Sequence, residues 1–274
     1  LTLNTQYFYG RTRNDITELE NRQQFLGDTI LTTRSNRSEV AYTKNHRLGF
    51  GLRWKIDTTS RMEFKPTLTV TDQNSNRFTA ITTNSSVDGP LNTSDNLYAL
   101  DGNDIGYNHS LSYFKSFKKK GRTFNLFNNV NYNNTNNDQF NNVLNTFFPT
   151  GTSTLDQLRD QERVNFSTNT NLNYAEPLTS FMTLRLGYAL TFFENKDALS
   201  TYNKDNASGK YDLPNTLLTN HLERTSWRNN LSTGLNFRYK KLSVTTTANF
   251  LWLDLYNRYV TLGQKLDQHF NYIL

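Results

Sequence analysis

Between Met182 and Phe192 every second residue is apolar: Met182, Leu184, Leu186, Tyr188, Leu190 and Phe192 alternate with Thr183, Arg185, Gly187, Ala189 and Thr191. Successive side chains of a strand point to opposite faces, whereas a helical period would spread this apolar set around the circumference. The pattern demands a strand with one apolar face and one small or polar face. It recurs along the chain. Leu48, Phe50, Leu52, Trp54 and Ile56 alternate with Gly49, Gly51, Arg53 and Lys55, and Met62, Phe64, Leu68 and Val70 with Glu63, Lys65, Thr67 and Thr69. Val164, Phe166, Leu172 and Tyr174 are separated by Asn and Ser. Leu231, Leu235, Phe237 and Tyr239 precede Lys240-Lys241, and Leu242, Val244, Ala248, Phe250 and Trp252 follow it.

Such one-sided strands explain an otherwise odd composition. Hydrophobic residues make up 35% of the 274, yet aromatics reach 14%, with 19 Phe and 15 Tyr. The mean hydropathy of -0.73 alone would suggest disorder, but disordered chains are poor in aromatics. A sheet with one greasy and one wet face has this average. There is no cysteine, which excludes disulfides, thiolate metal sites and a Cys nucleophile. No apolar run is long enough for a transmembrane helix.

Short turns are expected near residues 57–60, 118–121, 175–179 and 240–241, and long polar connections near 21–40, 85–103, 138–161 and 197–221. The chain thus repeats a unit of roughly sixty residues, giving about ten strands. Short turns at one end, long loops at the other and alternation between them predict an all-β, antiparallel transmembrane β-barrel segment of up-and-down strands, with short periplasmic turns and long extracellular loops. A bilayer offers an exposed backbone no hydrogen bonds, so a closed barrel is the only sheet able to span it. Trp54, Tyr174, Tyr239 and Trp252 then suit a membrane-interface girdle. Arg53, Lys55, Arg185 and Arg238 become candidate lumen-lining residues, pairing with acids such as Glu63 across neighbouring strands. Gly49 and Gly51 on that face would leave room for a plug or a bulky neighbour. A soluble sandwich, its polar face merely solvated, is the alternative.

His46-Arg47-Leu48-Gly49-Phe50, Trp54-Lys55-Ile56-Asp57, the Thr-Leu-Thr-Val-Thr arm at 67–71, the Asn-rich strand from Asn125 to Asn137 and the opening Arg22-Gln23-Gln24-Phe25-Leu26 carry a resemblance. The chain resembles the outer-membrane β-barrels of Bacteroidota, related to the barrels of TonB-dependent receptors. That resemblance covers essentially the whole chain through texture rather than one sharp motif. It implies location in the bacterial outer membrane, contact with lipid and lipopolysaccharide, a larger barrel with a plug domain upstream, and energy coupling through TonB. Leu1 and Ile273-Leu274 fall inside strand-like patterns, so the 274 residues are expected to be one partial barrel domain.

Chemistry of other kinds is little favoured. No phosphate loop, nucleophile elbow or zincin pair occurs, so the chain is not expected to be an enzyme or to need a cofactor or metal. His46, His109, His221 and His269 are scattered. His109 and Ser110, as neighbours on a strand, would face opposite sides. Asp101-Gly102-Asn103-Asp104-Ile105-Gly106 looks like a calcium loop, but Ile105 takes a ligand position and Ser112 stands where the bidentate Glu belongs; a turn-rich loop is expected. The net charge of +6 is mild, and Lys118-Lys119-Lys120 with Arg122 reads as a solvated turn rather than a nucleic-acid stripe. The expected function is the barrel portion of an outer-membrane receptor or transporter for an unidentified ligand; a passive porin-like or structural barrel, or a glycan-binding surface adhesin, is the alternative.

Overall fold

The computed structural model describes residues 1–273; Leu274, part of the expected terminal strand, lies outside them. The chain is all-β. Its strands are β1 (Thr2–Leu26), β2 (Thr29–Lys55), β3 (Ser60–Ser85), β4 (Gly89–Ser116), β5 (Thr123–Phe147), β6 (Gly151–Pro177), β7 (Met182–Asn203), the two-residue β8 (Leu213–Pro214), β9 (Asn220–Tyr239), β10 (Leu242–Tyr259) and β11 (Gln264–Ile273). All pairings are antiparallel. Each strand neighbours the next in sequence, except that β8 sits on the end of β7 and β9 takes the following place in the sheet. The ten strands of the main path match the expected number. The sheet is open, with β1 and β11 at its two edges.

The four short turns occur as expected, at 56–59, 117–122, 178–181 and 240–241. The long loops do not. Residues 21–40, 85–103 and 138–161 are almost wholly strand, reversed by tight turns at 27–28, 86–88 and 148–150. Only 204–219 forms a longer connection. The reason is that these segments carry Asn, Thr, Ser and Asp on both faces, so no hydropathy contrast marks the strand, while the backbone ladder needs none. Strands β2 to β6 reach 25–28 residues. The expected calcium-like loop at Asp101–Gly106 is likewise extended strand within β4.

Local chemistry sets the reversals. Gly27 opens a two-residue hairpin with φ 60, the left-handed value that glycine adopts without a Cβ penalty. At 56–59 Asp57 accepts from the Thr59 backbone N–H at 2.6 Å and from its hydroxyl at 2.7 Å. The Lys115 ammonium of β4 donates to Asp57, Thr59 and Ser60 at 3.0, 3.0 and 3.2 Å. Hydrogen bonds from the Ser60 and Thr59 side chains, the Thr59 backbone and Lys115 hold the Asp57 carboxyl well below the usual carboxylate range. At 117–122, Arg122 donates to Glu176 of β6 through Nε at 2.6 Å and Nη2 at 2.8 Å. Lys119 donates to the same carboxylate at 2.6 Å, and the Tyr174 hydroxyl donates to it at 2.7 Å, so this turn is tied across the sheet.

The 204–219 connection packs down on the sheet through Tyr211, whose hydroxyl donates to Asp156 at 2.7 Å and whose ring meets Phe140 edge-on at 5.5 Å. Burial and the Asp156 carboxylate push the Tyr211 phenol up to about 12. Tyr211→Phe is expected to cost about 0.5–1.5 kcal/mol, the net value of one such bond. Hydrogen exchange should locate the loss in 204–219, leaving protection of β5 and β6 unchanged.

Candidate functional site

Because register pairs residues on the same face, the apolar sets of neighbouring strands merge into one belt beside the four short turns. Along the row through Trp54 lie Met62, Tyr113, Leu126, Leu172, Tyr188, Leu231 and Phe250. The next rows add Leu52, Phe64 and Leu111, then Leu48, Leu68, Tyr107, Tyr132 and Phe166. The belt is sharply bounded away from the turns. On this face Arg11 follows Tyr9 in β1, Lys44 lies beyond His46 in β2, Asp72 follows Val70, Glu194 follows Phe192 and Asp254 follows Trp252. Farther along, both faces of β1 to β6 are mainly polar, with smaller apolar groups such as Phe78 beside Leu97 and Ala99 beside Phe140.

The belt crosses the hydrogen-bonded rows obliquely. Trp54 sits at its turn edge in β2, whereas Phe250, seven strand spacings away in the same row, lies eight residues from that edge at Leu242. With a rise of about 3.4 Å per residue and strands about 4.8 Å apart, the strands tilt by about 40° relative to the belt. Measured across that tilt, the belt is roughly 21–26 Å tall, from Met62–Val70 in β3 to Leu242–Trp252 in β10.

Nothing in the fold covers this belt. Among the described residues no hydrophobic side chain is buried, and Leu68, Leu186, Leu231, Leu235 and Trp252 are each about 40% exposed. The opposite face is a carpet of amides and hydroxyls knit laterally: Asn45 donates to Thr71 at 2.9 Å and Asn195 to Asn165 at 2.6 Å. Glycines there make room for neighbours rather than for a ligand. Gln73 donates to Asn137 at 3.1 Å across Gly102, where an added Cβ would lie 2.2 Å from the Asn137 oxygen. Likewise a neighbour, the Gln6 side chain, fills the space at Gly49, 2.8 Å from where a Cβ would stand; at Gly51 the nearest atom is 3.8 Å away.

Arg53, Lys55, Arg185 and Arg238, the candidate lumen residues, all project from this polar face, in the half nearest the turns. The structure does not gather them: Arg53 pairs with Glu63 at 2.9 Å, as expected, on β2 and β3, while Arg185 and Arg238 stand on β7 and β9. Trp54, Tyr174 and Tyr239 lie at the turn edge of the belt, and Trp252 at the far edge. The chain matches no protein-family model and no curated relative.

Two features escaped the sequence reading. A second aromatic line at the far edge of the belt includes Tyr7, Tyr107, Tyr132, Phe192 and Trp227, and its members are aligned only by register; the ring centres of Phe192 and Trp227 lie 4.2 Å apart with the planes tilted by 47°. In β10, Leu251 and Leu253 point to the otherwise polar face, opposite Tyr272 and Phe270 of β11. The consecutive apolar residues Phe250–Leu253 are the signal for this second face. His109 and Ser110 do face opposite sides; His109 donates or accepts between Tyr107 at 3.0 Å and Asn128 at 2.8 Å. Among the described residues no group of three His, Asp or Glu is arranged to hold a metal ion.

Proposed function

We propose that this chain is membrane-spanning wall of an outer-membrane β-barrel, in a receptor or transporter of the TonB-dependent type that takes up an as yet unidentified ligand. The observation that carries the reading is the belt itself: a continuous apolar face over the nine strands β1 to β7, β9 and β10, with no second layer of protein upon it. In water such a face has no stable arrangement, since a sheet must bury its apolar side against something. Lipid is the covering that its dimensions favour. A belt of roughly 21–26 Å matches the apolar band of outer-membrane barrels, about 25 Å, and a tilt of about 40° lies within their usual 35–45°. Aromatics at both edges suit the two interfaces. The free edges of β1 and β11 then require closure by pairing, because lipid cannot satisfy their backbone groups. The receptor or transporter assignment follows from the resemblance and from the polar interior wall that such a closed sheet would enclose.

These 274 residues contain no cysteine, so one introduced here is the only thiol among them. Single cysteines placed from Leu184 to Ala198 in the protein in isolated outer membranes are expected to react with a charged maleimide in a period-two pattern. Positions 185, 187, 189 and 191 should label, positions 184, 186, 188, 190 and 192 should resist, and beyond Glu194 both faces should label. Uniform labelling throughout β7, or absence of the protein from the outer-membrane fraction, would defeat the proposal.

A further inference from the structure

The two ends of the sheet differ sharply in charge. Within four residues of the four short turns stand twelve Lys and Arg against three Asp and Glu. Within four residues of the five connections at the other end there are four Lys and Arg against six Asp and Glu. The sequence spreads these cations over some 190 positions, so that only Lys118-Lys119-Lys120 stands out; antiparallel pairing collects all of them along one rim. Resting on the membrane reading above, we propose that this rim binds the anionic phosphate headgroups of the phospholipid leaflet that meets the short turns.

Three observations support a lipid surface as the occupant. The cations form a line rather than a patch, following the turn edge of the apolar belt over eight strands, β2 to β10 apart from the short β8. Many are free to engage a phosphate: among the described residues Lys118, Lys120, Lys240 and Lys241 belong to no ion pair, while Lys119 and Arg122 share Glu176. They also stand beside aromatics of the belt edge, with Lys240 5.4 Å from the Tyr239 ring centre, the composition that interfaces favour. Lys240 further occupies the turn with φ 52, where glycine or asparagine would sit with less strain. A nucleic acid would instead meet cations that face the same way as bases or stacking aromatics, and here the flanking aromatics belong to the belt.

The full protein carrying this chain should be refolded from urea into vesicles of phosphatidylcholine alone and of phosphatidylcholine with phosphatidylglycerol. Insertion is read by resistance of the belt cysteines to maleimide. The expected result is insertion into both, about tenfold faster with phosphatidylglycerol at low salt, as clustered basic residues near an anionic surface should give. That gain should vanish at about 1 M salt, where the Debye length is about 3 Å. It should also vanish in the quadruple variant Lys118→Gln, Lys120→Gln, Lys240→Gln, Lys241→Gln, with insertion into phosphatidylcholine unchanged. Equal insertion rates into the two vesicles at low salt overturn the inference and leave the membrane reading standing. Salt-labile binding to phosphatidylglycerol with the belt cysteines still reactive keeps the headgroup site and defeats the membrane reading. Tighter binding to duplex DNA than to phosphatidylglycerol vesicles also overturns the inference.

Discussion

Exchanging two adjacent residues, Arg185→Leu with Leu186→Arg, is expected to destabilise the folded chain in a bilayer by about 2–4 kcal/mol while leaving its composition unchanged. Arg185 projects from the polar face of β7 and Leu186 from the belt, in line with Tyr174 of β6 and Thr233 of β9. The exchange therefore moves one guanidinium from a wet face to a lipid face and adds no net charge. Arg185 belongs to no ion pair among the described residues, so its loss alone should cost little; Arg185→Leu by itself is the control. If the belt faced water, the exchange would be a surface substitution, with an effect within about 0.5 kcal/mol. Urea midpoints of vesicle-folded protein, followed by heat-modifiable gel mobility, separate the two. A shift for the double variant no larger than for the control would show that the belt does not lie in lipid.

Gly234→Ala and Gly51→Ala, one methyl each, are expected to act in opposite directions. At Gly234 in β9 a Cβ would lie 2.8 Å from the backbone oxygen of Thr246 in β10. No side-chain rotation relieves that contact, so the strands must part, at a cost of about 1–3 kcal/mol. At Gly51 in β2 the nearest atoms, on Asn4, are 3.8 Å away or farther. There alanine only restricts the unfolded chain, a gain of about 0.4–1 kcal/mol. Unfolding midpoints of the two variants under the same conditions check both signs. Equal shifts would mean that the β9–β10 backbone contact is not held in the folded protein.

The strands of the belt half could be read because contrast there is local. Leu184, Leu186, Tyr188 and Leu190 have polar or small neighbours on either side, and a window of a few residues contains the whole signal. The Lys240-Lys241 turn and the Arg53–Glu63 pair were legible for the same reason, one lying between two alternating runs and the other across a short hairpin. Segments such as 85–103 and 138–161 have the composition of loops because Asn, Asp, Ser and Thr populate both of their faces. With water on both sides, alternation is not required, and polar strand and polar loop have the same composition. Only the ladder distinguishes them: Asp101 lies opposite Asp138, and Asp138 opposite Asp160, pairings that a local window does not contain.

The sequence by itself determined the period of two, the side of each strand that is apolar, and where the hairpins turn at the basic end. These follow from neighbouring residues and from the fixed geometry of an extended chain. Tertiary structure decided how long the strands run, how obliquely the belt crosses them, that Gln6 occupies the space over Gly49, and that distant lysines form one rim. Each of these depends on register between strands, and register is set by long-range pairing of backbones whose hydrogen bonds are the same for every residue type but proline.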